Sequence, residues 1–357
     1  ALTLAVPFTR ERVLGTSPLA GHTISGRNLL WHETLSLIGA HPALGVGPSQ
    51  YGVAIVGEHD RKWYTTVGPA FPPDSPHNWI LQALDAGGPL LLVVLLALVV
   101  VLVRSCWPGL RDGDAWVAGA VAGLAGYGTA LLFHLTSPGT TLPALVLAGS
   151  LLAVPVSSRR RRWAAPVLTG VAALLALAFL LASIGEIVLR RATVDVAHGK
   201  LASADAAFDA VHALRPWDVD LAAQATHEYA VSAGNGNAAA IGLGQGWLHS
   251  AGLVTADEQV VEDRALLLEA AGKYTQARAV LLRQLDVDHG NPLLILRVGV
   301  LDAELSDSAA AERNFLRAAR ISPQSPEPWQ DLATLYRQLG ESGKAAAAQR
   351  RARQLTG

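Results

Sequence analysis

The chain contains no methionine and a single cysteine, Cys106, and only 16% of its 357 residues carry charge. One cysteine excludes an internal disulfide. Acidic and basic residues nearly cancel, leaving a net charge of −1, so the composition makes no case for nucleic-acid binding. The 11 histidines show no metal-ligand spacing such as HExxH, and no metal site is expected. The charged fraction is low for a soluble protein. With 51% hydrophobic residues and a mean hydropathy of +0.31, the composition fits a membrane part joined to a soluble part. A translated chain begins with Met, so one that starts at Ala1 reads as a piece or a processed product. Residues 1–8 read as the outer end of a truncated membrane helix, because no basic stretch of a signal peptide is present.

Four apolar segments stand out, at about 79–103, 115–135, 140–156 and 164–189. The first has one charge, Asp85, in a run longer than the roughly 20 residues that cross a bilayer core. Arg104 and Arg111 follow it, and Arg159 to Arg162 precede the fourth. The positive-inside rule puts both basic connectors in the cytoplasm. Residues 9–78, the loop around His134 and everything after Arg191 then lie outside. Gly119 and Gly123 form a GxxxG pair suited to close helix packing.

Beyond Arg191 a 34-residue period appears: Gly272, Ser306 and Gly340, then Ala277, Ala311 and Ala345. Trp329, Leu332, Tyr336, Gly340 and Ala345 follow the tetratricopeptide pattern, in which small residues let paired helices approach and large ones fill the groove between repeats. Gly199, Ala204, Phe208 and Pro216 carry the same spacing earlier. Residues 195–355 therefore read as four or five helix pairs, least regular at 230–260.

The residues suited to chemistry sit in the outer loop. In Asp74-Ser75-Pro76-His77-Asn78, Ser75 suits a helix cap and Pro76 the first helical position. That places His77 and Asn78 in the first turn, where free N–H groups and the helix dipole favour anions and a neutral imidazole. Arg27 opens a short amphipathic segment that should stop near His41, ahead of Pro42; its fork can grip two phosphate oxygens. Gly45 and Gly47 suit a tight turn more than an anion-binding nest. Asp85 shares a helix face with Asn78, and an acid within a membrane helix is usually functional or paired.

The order of these motifs resembles the O-antigen ligase and polymerase family: Arg27 with Trp31, then His41 to Gly47, then His77-Asn78 with Gly88 after nine intervening residues. The resemblance covers about residues 1–160. It implies an all-α, GT-C-like polytopic bundle in the bacterial inner membrane, here followed by an α-solenoid of tetratricopeptide repeats. The expected layout is a membrane-helix end at 1–8, an extracytoplasmic loop at 9–78, four membrane helices in 79–190, and an extracytoplasmic repeat domain at 191–357. The implied activity moves a glycan from a polyprenyl diphosphate to a lipid, glycan or protein acceptor, with no cofactor. His77 takes the role of the acceptor-activating histidine, and Arg27 that of the motif arginine. Arg10, Arg12, Asn78 and His134 are further candidates for holding diphosphate or glycan. The family's other membrane helices would precede Ala1 and complete the carrier site. Leu91 stands where the family often has a small residue, and Asp85 one place before its usual acid. The competing expectation is a membrane-anchored scaffold whose repeats recruit a protein partner.

Overall fold

The computed structural model describes residues 18–68, 73–133, 138–152, 158–215, 218, 220–250 and 258–356, and every regular element among them is a helix. The chain divides into two compact units, Ala1–Val156 and Ser157–Gly357.

The first unit contains α1 (Pro18–Ala40), α2 (Tyr51–Ile55), a 3-10 turn (Val56–Glu58), α3 (Arg61–Thr66), α4 (Trp79–Arg111), α5 (Ala115–Ala130) and α6 (Pro138–Leu151). α1 stops where Pro42 requires, but it begins at Pro18 rather than at Arg27. Arg27 is therefore an interior residue of the helix and adds nothing to a helix N-terminus. α1 is held by Leu30 and Leu37, both buried, and by Thr34. The Thr34 hydroxyl donates to the Leu30 carbonyl at 2.6 Å, so the contact with Tyr51 at 2.6 Å must be donated by the phenol. Burial pushes the Tyr51 phenol up, which keeps that proton in place.

Among the described residues α4 is the one helix long and apolar enough to cross a membrane, and the apolar helix Thr140–Leu151 is shorter than that test requires. α4 is not one rod. Gly87 and Gly88 leave helical geometry, with Gly88 at φ 66°, and Pro89 follows. The straight portion is Pro89–Arg111, about 34 Å at 1.5 Å per residue. Leu90, Val93 and Leu98 on it are all more than half exposed, a bare apolar surface that water does not favour. Asp85 lies before the break, so it is not within the straight apolar portion.

The second unit opens with α7 (Ser158–Ala197), followed by α8 (Leu201–Leu214), α9 (Asp220–Gly234), α10 (Ala238–Ser250), α11 (Glu258–Ala270), α12 (Tyr274–Leu285), α13 (Pro292–Glu304), α14 (Ser308–Ile321), α15 (Glu327–Gln338) and α16 (Ser342–Thr356). They pair as α7/α8, α9/α10, α11/α12, α13/α14 and α15/α16. The fourth apolar segment is continuous with the first repeat: the end of α7 buries Leu189, Ala192 and Val196 against Ala204, Phe208 and Val211. The first pair therefore starts several residues before 195. The periodic alanines Ala277, Ala311 and Ala345 are buried where helices touch, and other small residues are held as closely. A Cβ on Gly299 would come within 2.7 Å of the Phe315 ring. Trp329 packs on the last core beside Leu332, Tyr336 and Ala345. Trp217 and part of the irregular stretch at 230–260 lie outside the described residues.

Every pair turns the same way. Gly199, Gly236, Gly272, Ser306 and Gly340 each have φ between 63° and 93°. In each turn the next residue's N–H reaches back five residues, as in Asp307 to Asp302 and Glu341 to Tyr336, both at 2.8 Å. This is the Schellman closure of a helix, and it needs left-handed backbone at one residue. Ser306 is the one non-glycine among the five. Ser306→Gly should stabilise the repeats by about 1 kcal/mol by removing the Cβ penalty of left-handed backbone. Thermal unfolding of the whole chain in detergent checks it: the repeat transition should move up, whereas Gly272→Ser should move it down.

Candidate functional site

The loop before α4 is built around Asn78, not Ser75. Asn78 is extended (φ −151°, ψ 116°) and its side-chain oxygen accepts from Ile80 N at 3.0 Å and Leu81 N at 3.2 Å. Its Nδ2 donates to the Leu132 carbonyl at 3.2 Å. Asparagine thus caps α4 with its amide oxygen and ties it to the end of α5 with its amide nitrogen. Ser75 instead accepts the His77 N–H at 3.1 Å. His77 lies just outside the helix with φ 51°, a left-handed conformation that a non-glycine residue adopts at a cost and that concentrates at functional sites.

This arrangement corrects the expected anion site. Trp79 N donates to the Leu131 carbonyl at 3.0 Å, while Ile80 N and Leu81 N are taken by the cap. The first N–H groups of α4 are spent within the protein, so only the helix dipole remains there for an anion.

The Gly45–Gly47 segment is a docking loop. Pro89 has no N–H to give to the Asp85 carbonyl four residues back. Val46 N at 2.8 Å and Gly47 N at 3.3 Å fill that place. The approach leaves no room for side chains: a Cβ on Gly45 would lie 1.9 Å from the Asp85 carbonyl oxygen, and one on Gly88 2.2 Å from that of Ala43. Both glycines also have positive φ. The turn reading of this segment holds, and its N–H groups do not form a nest for phosphate. The Asp85 side chain is buried, with Oδ1 lacking a hydrogen-bond partner among the described residues.

α1 comes to this loop through Trp31, whose Nε1 donates to the Pro76 carbonyl at 2.9 Å. The Trp31 ring also lies 6.0 Å from that of Phe133. Arg27 is one turn before Trp31 on the same face, half-buried and without an ion pair among the described residues. Trp31, Pro76, His77 and Asn78 are thus gathered at the head of α4. Arg10, Arg12 and His134 lie outside the described residues, as do residues 1–8.

Sequence reasoning missed the pair Glu33 and His59. His59 Nδ1 meets Glu33 Oε2 at 2.7 Å, with both side chains under a tenth exposed. The imidazole stacks on Trp63 with centroids 4.2 Å apart. Nothing in the spacing of residues 26 apart pointed to it. Among the described residues no cluster of three or more His, Cys, Asp or Glu could hold a metal ion.

Comparison with known proteins adds little. No family model matches the chain, and no curated protein is similar to it. Solved structures of MamA, one a mutant and one designated AMB-1, are 20% identical over 48% of this chain, with TM-scores of 0.35 and 0.36. They are covered over 96% and 91% of their own lengths. Overlap that loose carries no argument.

The docking loop makes a direct prediction. Gly88→Ala should destabilise its seat by about 2 kcal/mol or more through left-handed strain and overlap with Ala43. Gly39→Ala, where a Cβ meets nothing within 4 Å, should not destabilise it. Limited proteolysis of detergent-solubilised protein reads the difference as faster cleavage within residues 41–50 for Gly88→Ala alone.

Proposed function

We propose that this chain is a membrane glycosyltransferase that moves a glycan from a polyprenyl-diphosphate carrier to an acceptor hydroxyl at the outer face of a bacterial inner membrane, as in the O-antigen ligase and polymerase family. The observation that carries the reading is His77. It is held in left-handed backbone between the Ser75 turn and the Asn78 cap, at the head of the apolar helix. Such strain over-determines where an imidazole sits, which suits a general base.

In the proposed reaction His77 takes the proton of the acceptor hydroxyl as its oxygen bonds to the anomeric carbon. The bond from that carbon to the diphosphate breaks, and the diphosphate leaves with the electron pair. With the backbone N–H groups of α4 and of the Gly45–Gly47 loop already used, side-chain cations must hold the leaving group. Arg27, one turn from the Trp31–Pro76 bond, is the first candidate for it, and Arg10 and Arg12 are the further ones; Asn78 and His134 would contact the glycan. Fixed cations stabilise the departing charge without a metal. The four apolar segments cross the membrane in this reading, with residues 9–78 and the repeats outside.

A second reading has its own observation. Five helix pairs follow one another between Ser158 and Thr356, the kind of extended repeat array that a scaffold for an envelope-assembly partner would use.

Glycan transfer in a null strain carrying the full-length gene tests both. His77→Ala should cut transfer by about 10²–10⁴-fold, the usual contribution of a general base, at unchanged membrane levels. Undiminished transfer would remove His77 from the chemistry. If deletion of residues 201–357 alone then abolished glycan assembly, the scaffold would be the working part.

A further inference from the structure

A face of α1 about 100° round from Arg27 and Trp31 borders a half-open cleft of about 490 Å³. That is within the 300–1,000 Å³ range of small-ligand sites. Asn28, His32, Glu33 and Ser36 line it from α1, and Glu58, Asp60 and Lys62 face them from the 3-10 turn and α3. Leu29 is the one apolar lining residue. Glu33 is fixed by its bond to His59, and that ring is clamped on Trp63. His59 Nε2 is buried without a hydrogen-bond partner among the described residues.

The chemistry of this lining selects its ligand. Three carboxylates against one ammonium disfavour a phosphate. Carboxylate oxygens accept strongly from hydroxyl groups, while Asn28 and Lys62 donate and Ser36 does both. A carboxylate already oriented by a buried imidazole binds without first being ordered. An anionic ligand finds no match here.

We propose that the cleft is a saccharide-binding subsite, holding a neutral polyhydroxylated ring of the glycan away from the reacting end at His77. That the saccharide belongs to the transferred or accepting glycan rests on the proposed transferase activity; saccharide binding does not.

Saturation-transfer NMR on the full chain in detergent tests it, with N,N′-diacetylchitobiose, lactose and maltose as probes. At least one disaccharide should give ring-proton signals that inorganic phosphate does not suppress. Asn28→Trp, which fills the cleft from α1, and Glu58→Gln, which removes one charged acceptor opposite, should each weaken binding about tenfold, as for loss of a charge-assisted hydrogen bond. His77→Ala should leave binding intact, so failed transfer and failed binding are read separately. No signal from any of the three sugars in the unaltered protein would overturn the proposal. So would displacement by phosphate, or undiminished binding in either cleft variant with helix content unchanged.

Discussion

One unmade hydrogen bond organises the segment between α1 and α4. Proline at position 89 cannot donate to the carbonyl of Asp85, and a buried carbonyl left alone is costly. The chain meets that cost with Val46 and Gly47, which requires the loop after α1 to lie on the α4 backbone. Lying so close requires glycine at 45 and 88. Break, loop and glycines are one device, and it sets where α1 ends relative to the head of α4. Trp31 then reaches Pro76, and the left-handed residue at 77 sits beside that contact.

The first backbone N–H groups of α4 are likewise already used. A helix N-terminus is a ready anion site only if its N–H groups are unclaimed. In α4 they are claimed by Asn78 and by the Leu131 carbonyl. The rigidity of the loop and its capacity for backbone anion binding draw on the same donors, and this chain uses them for rigidity.

The helical character and the repeat were legible because they rest on local signals: period-34 small residues, among them the turn residues that close each pair, glycine in four of the five. The start of the first repeat was not, because Leu189 closes the fourth apolar segment and also joins Ala192 and Val196 in the repeat core, and composition cannot divide a helix that serves both. The end of α1 followed from Pro42, but its beginning at Pro18 did not show in the amphipathic stretch. Ser75 and Asn78 are both good caps; the choice turned on Leu132, a partner 54 residues away that no local rule contains. Pro89 stood four residues after Asp85 in plain view, yet its effect is visible only once the loop that answers it is in place. The pairing of Glu33 with His59 is of the same long-range kind.

The continuity of α7 has a mechanical consequence. A helix of 40 residues is about 60 Å long, and its last turns are packed into the first repeat. It is a lever rather than a tether: tilt or rotation of its N-terminal portion turns the first repeat by the same angle. Linkers absorb such motion; an unbroken helix transmits it.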